Sequence, residues 1–223
     1  MTRPRIVAVL LLALAPRIAS AQSLSLTAGN ASGDCAGTSF YQAADASGKF
    51  IGAGWAVASE FPVAINRGFV RCVMKMTVTV QTGYKLVPGT AAGAATRLAI
   101  AQFSPLRLNG ASSHVLVETA VSVDNGTPAT ASGASDGGPM TGAMLALDRA
   151  ATALVVESAC SNASKSTFVL TAQLDAAVAS NYASPWPPEP YAERENASLG
   201  SVKLFYNVVP CSTRTAVPQR PGA

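Results

Sequence analysis

The chain has 223 residues, of which 49% are hydrophobic and 13% charged, with a formal net charge of +4. That apolar content excludes a disordered chain and supports a packed core. Arg3, Arg5 and Arg17 fall in the first 21 residues, and without them 13 basic side chains face 12 acidic ones. No basic cluster or stripe is left, which excludes an electrostatic nucleic-acid footprint.

Arg3 and Arg5 precede an apolar run from Ile6 to Ala15, and Ala19-Ser20-Ala21 precedes Gln22. A basic start, a short apolar core and a small-x-small site predict a secretory signal peptide over residues 1–21. The run is shorter than the roughly 18 residues of a membrane anchor, and Pro16 and Arg17 close it. No later segment is apolar and long enough to span a bilayer, so no membrane span is expected after cleavage. The exported remainder is expected to be one domain over residues 22–211, with a disordered tail over 212–223. Its location would be extracellular, or periplasmic or cell-surface in a bacterium.

Residues 22–54 are rich in Gly, Ala, Ser and Asp, which predicts short strands joined by turns. The clearest strand follows over Arg71–Val80. Cys72, Met74, Met76, Val78 and Val80 share one parity, and Arg71, Val73, Lys75, Thr77 and Thr79 share the other. Tyr84–Val87 begins another strand, stopped by Pro88-Gly89. Arg97–Phe103 reads as strand or helix. Val115, Val117, Thr119, Val121 and Val123 give a strand that ends at Asp124-Asn125-Gly126, with the Asn-Gly pair suited to a type I′ turn. Thr127–Gly142 reads as a loop. Met144–Ala159 is the one segment with a helical reading, although Ala153–Cys160 resembles a buried strand. Thr167–Leu174 alternates cleanly, the prolines of Pro185–Pro190 exclude a central strand there, and Ser201–Val209 is the last strand. Many short strands with turn signals between them predict an all-β, β-sandwich-like domain of antiparallel strands.

Four cysteines, Cys35, Cys72, Cys160 and Cys211, lie in the exported part. An even count without C-x-x-C spacing reads as two disulfides rather than a metal site. Of the three connectivities, Cys35–Cys72 with Cys160–Cys211 is favoured because it closes one loop in each half of the chain. In the chain-entropy view each bridge stabilises by roughly 3–4 kcal/mol.

At these strands the sequence resembles the secreted, cysteine-containing family grouped as domain of unknown function 4360. The resemblance is carried by Arg71-Cys72-Val73-Met74-Lys75-Met76-Thr77-Val78 with Gly83-Tyr84. It continues in Glu157-Ser158-Ala159-Cys160 with Phe168–Leu174, and in Gly200–Tyr206 leading to Cys211. The chain departs from the family in lacking the Arg-Gly-aromatic step and in approaching its last cysteine through Asn207-Val208-Val209-Pro210. The resemblance implies a small exported β-domain with two disulfides and no established activity.

Few residues point to catalysis. His114 is the single histidine and no G-x-S-x-G elbow accompanies it, so a catalytic triad is not expected. One histidine and paired cysteines leave no transition-metal site, and no cofactor is implied. Glu118 and Glu157 are the two acids on predicted strands, and a carboxylate hydrolase is the reading of least weight. The loop around Trp186, Glu189, Tyr191 and Glu193 combines aromatic and acidic groups, with Trp55 as a second platform. Such a loop on a rigid scaffold stacks on and hydrogen-bonds a sugar ring. The sequence therefore predicts a non-enzymatic extracellular or cell-surface binding module, with cell-wall polysaccharide or a surface protein as partner. A structural envelope or matrix protein is the alternative. Sequons at Asn30, Asn125, Asn162 and Asn196 all fall in predicted turns or loops.

Overall fold

The computed structural model describes residues 24–55, 63–64, 69–107, 114–135, 143–150, 156–179 and 196–211. Every regular element among them is a strand: β1 (Leu24–Gly33), β2 (Thr38–Asp45), β3 (Gly48–Trp55), β4 (Val63–Ala64), β5 (Phe69–Val80), β6 (Tyr84–Pro88) and β7 (Thr90–Ala92). They continue with β8 (Ala95–Arg107), β9 (His114–Val123), β10 (Ala129–Ala134), β11 (Ala143–Ala150), β12 (Thr167–Ala179) and β13 (Asn196–Pro210). The all-β, two-disulfide architecture expected from the pattern is the one observed. Its layers are continuous, forming one antiparallel sheet ordered β1-β5-β12-β9-β10-β11-β8-β13-β3-β2 that is nearly closed.

Side-chain alternation creates the inner surface. On β5, Cys72, Met74, Met76, Val78 and Val80 are all buried, and β9 and β12 bury matching sets. Register stacks them in rows: Met74 lies opposite Ala172 and then Val121, and Met76 opposite Leu170 and then Val123. Each such row removes apolar surface from water at roughly 25 cal/mol per Å².

The seam between end strands β1 and β2 has no backbone ladder; Phe40 of β2 packs on Gly29 of β1 there, and the Gln42 side chain supplies the hydrogen bonds. The Gln42 carboxamide accepts from the Leu26 N–H at 3.2 Å and donates to the Leu24 carbonyl. It also donates to the Tyr206 hydroxyl at 2.9 Å. A primary amide carries the same donor and acceptor as a peptide unit, so it stands in for a missing strand residue. Both disulfides have the favoured connectivity: Cys35–Cys72 ties the β1–β2 connection to β5, and Cys160–Cys211 ties the chain before β12 to the end of β13.

Four local readings change. Met144–Ala150 is strand β11, because Leu145, Leu147 and Arg149 point inward at period 2. Within Thr127–Gly142, Ala129–Ala134 pairs with β9 as β10. The type I′ turn lies one residue earlier than the Asn-Gly pair. Asp124 (φ 50°) and Asn125 (φ 59°) take its two left-handed positions, and the Gly126 N–H donates to the Val123 carbonyl at 2.8 Å. Aspartate and asparagine tolerate that conformation, so glycine is free to follow it. Finally, Val156–Cys160 runs beside β6 without a ladder of its own. The Leu86 N–H donates to the Ser158 hydroxyl, and the Tyr84 N–H to the Ser161 hydroxyl, where a strand would offer carbonyls.

Candidate functional site

Register on the outer face of the sheet assembles a row of polar side chains from six strands. Arg71 on β5 lies opposite Asp175 on β12, and Asp175 opposite Glu118 on β9. Glu118 faces Ser132 on β10, Ser132 faces Asp148 on β11, and Asp148 faces Arg97 on β8. Each position sits on the polar parity of its strand, which is why the row faces outward.

The two ends of the row are clamped alike. Arg71 Nε and Nη2 donate to the Asp175 carboxylate at 2.8 and 3.0 Å. Arg97 Nε and Nη2 donate to Asp148 at the same two distances. Bidentate guanidinium–carboxylate pairs fix geometry as well as charge. Between them Glu118 is exposed and makes no ion pair or hydrogen bond among the described residues.

Above the centre of this row is a half-open cleft of about 350 Å³. It is lined by Glu118, Thr119, Ala120, Thr130, Ala131, Ser132, Gln173 and Asp175. The lining is held from below. The buried Thr119 hydroxyl donates to the Gln173 carbonyl at 3.1 Å, and Gln173 Nε2 donates to Asp175 at 2.8 Å. The Arg71 guanidinium holds the Asp175 carboxyl below its ordinary value against the opposing effect of burial, and Gln173 adds to the lowering. Asp175 is therefore an ionised acceptor over the whole neutral range.

No family model and no curated protein matches the chain, so the resemblance at the cysteine strands rests on the motifs quoted for it. Among solved structures, the chain is similar to TmCBM61 in complex with beta-1,4-galactotriose, at 8% identity and a TM-score of 0.29. The match covers 83% of this chain and 90% of that one.

The residues singled out in the sequence are distributed unevenly. Trp186, Glu189, Tyr191 and Glu193 lie outside the described residues, and Trp55 ends β3 opposite Thr38. Glu118 lies in the cleft. Glu157 does not: it pairs with Lys85 at 2.6 Å beside β6. His114 heads β9 opposite Ala179 and takes no part in the cleft. Among the described residues no group of three or more His, Cys, Asp or Glu side chains could hold a metal ion. No helix among them is long and apolar enough to cross a membrane. Sequence reasoning missed Asp175, Gln173, Thr130 and Ser132. Asp175 and Gln173 extend the polar parity of the Thr167–Leu174 alternation, but only pairing brings them to Glu118.

Proposed function

We propose that this chain is an exported binding module that takes a hydroxyl-rich ligand, a carbohydrate chain of a cell wall or matrix, in the cleft on β9, β10 and β12. The observation that carries the reading is Glu118, an unpaired carboxylate set between two bidentate ion pairs at the centre of a half-open polar cleft. Ionised carboxylates accept strong hydrogen bonds from sugar hydroxyls, and Ser132, Thr130 and Gln173 supply both donors and acceptors. Mounting these groups on paired strands limits the ordering cost of binding. The reading is binding without catalysis, with Asp175 held by Arg71 as an ionised acceptor. It includes kinship with the cysteine-containing family whose motifs the strands resemble, a family with no established activity.

The test is retention of residues 22–223, with disulfides intact, on insoluble polysaccharides and cell-wall preparations. Glu118→Gln and Gln173→Ala are compared with the parent chain. Loss of a charged hydrogen bond costs about 1.5–3 kcal/mol, so retention by Glu118→Gln should weaken roughly ten- to hundredfold. Because Glu118 is exposed, its melting temperature should not change. Undiminished retention of both variants would remove the cleft from the binding surface.

A further inference from the structure

Most of the hydrogen-bond donors around the Glu118 cleft are already committed. Arg71 Nε and Nη2 are taken by Asp175, and Arg97 Nε and Nη2 by Asp148, so each guanidinium of the row is neutralised where it stands. The Thr119 hydroxyl gives its proton to the Gln173 carbonyl, which leaves its oxygen as an acceptor only. Gln173 Nε2 donates to Asp175, which leaves that side chain one N–H and its Oε1 acceptor. Asp175 in turn receives three donors, two from Arg71 and one from Gln173.

Acceptors are what remain. Glu118 brings two carboxylate oxygens that no ion pair or hydrogen bond engages among the described residues. Gln173 Oε1 and the Thr119 oxygen add neutral acceptors, while the Thr130 and Ser132 hydroxyls serve either way. The charge balance has the same sense. Arg71 with Asp175 and Arg97 with Asp148 are neutral as pairs, so Glu118 leaves the row one negative charge in excess. The next cation on the outer parity of β5 is Lys75, opposite Thr171 and about 13 Å along the strand from Arg71. Along β9 and β10, Leu116, Ala120, Thr130 and Ala134 flank Glu118 and Ser132 and carry no charge. A half-open cleft focuses the field of such a carboxylate on whatever enters it.

We propose that the cleft takes an amino sugar in its cationic form, with the ammonium group on Glu118 and the ring hydroxyls on Ser132, Thr130 and Gln173. The assignment rests on the cleft being a carbohydrate site and specifies the class of sugar it admits. An ammonium offers three donors and no acceptor, which matches a site rich in acceptors and short of uncommitted donors. N-acetylation removes the charge and adds a carbonyl that needs a donor. A uronic acid adds a carboxylate where the excess charge is already negative, so it is rejected by repulsion.

The experiment is calorimetric titration of the intact, disulfide-bonded chain with length- and linkage-matched oligosaccharides of glucosamine, N-acetylglucosamine and glucose. A uronic-acid oligosaccharide and oligolysine serve as contrasts, in mildly acidic buffer that keeps the sugar amine protonated. The glucosamine oligomer should bind at least about tenfold more tightly than the acetylated and neutral ones. Of these three, only its affinity should fall as salt is raised. Glu118→Gln should erase the preference, and Glu118→Lys should transfer it to the uronic acid, both with the wild-type melting temperature because Glu118 is exposed. Glu118→Gln carries the comparison by itself should the lysine variant fail to fold. Equal or tighter binding of the neutral sugar, weakened by Gln173→Ala, would overturn the amino-sugar assignment while sustaining the cleft reading. A glucosamine preference that survives Glu118→Gln would overturn the assignment, as would oligolysine binding as tightly as the amino sugar. Binding of none of the saccharides would overturn both.

Discussion

Replacing Gln42 by alanine tests how much one carboxamide contributes to closing a ten-strand path. The substitution removes three hydrogen bonds, to the Leu26 N–H, the Leu24 carbonyl and the Tyr206 hydroxyl. A typical bond contributes about 0.5–1.5 kcal/mol net, and a buried group left unpaired costs about 1–3 kcal/mol. Tyr206 is only 2% exposed, so its hydroxyl falls in the second class, whereas the backbone groups at the seam can turn to water. The expected loss is about 2–4 kcal/mol, or a melting temperature lower by about 5–15 °C for a domain of this size. Tyr206→Phe should cost about 1 kcal/mol, since the exposed Gln42 amide can rehydrate. Combining the two should cost less than their sum, because the phenylalanine removes the orphaned hydroxyl. Urea denaturation of the oxidised protein supplies the four stabilities, and hydrogen exchange at the Leu26 amide reports the seam directly. A Gln42→Ala loss under 0.5 kcal/mol with unchanged Leu26 protection would mean that the seam is held by Phe40 packed on Gly29 instead.

Stability should fall at both ends of the pH scale for different groups. Lys203 and Ser47 lower the Asp45 carboxyl from 3.8 to about 2, and Asp175 is lowered in the same direction. Carboxyls depressed by folding stabilise above their unfolded values, so this contribution should be present above about pH 4 and decline towards pH 2. Burial raises the Tyr206 hydroxyl above 10.0, with Gln42 opposing, so its contribution should be intact below pH 10 and lost as pH rises beyond it. Thermal melts across pH, with Tyr206→Phe flattening the alkaline limb alone, check both signs. The disulfides should open in order. Cys35 and Cys72 are 1% and 0% exposed whereas Cys160 is exposed, so mild reductant should open Cys160–Cys211 first. Each bridge closes a loop, of 37 and 51 residues, that contributes about 4 kcal/mol in the chain-entropy view. Alkylation mapped under native conditions decides the order, and simultaneous opening would show that the folded surface does not protect the first bridge.

Much of the scaffold was legible before any coordinates, because side-chain alternation is a local property. The buried face of β5 follows from Cys72, Met74, Met76, Val78 and Val80 occupying every second position, and β9 and β12 read the same way. Where alternation is weak, composition misled. Ala129–Ala134 is made of small residues that also suit a loop, and Met144–Ala150 carries enough helix formers to suggest one. Both became strands because neighbouring edges were available to pair with them.

Glu118 stood out in the sequence as an acid on a strand, but its neighbours could not. Asp175 lies 57 positions away, and only the register of β12 against β9 sets them side by side. The sequence by itself determined the strand class, the inward faces and an even set of cysteines whose favoured pairing the fold adopts, since these depend on residue type and period 2. Tertiary structure alone decided which polar groups converge, because strand order and register are fixed by packing the whole core at once.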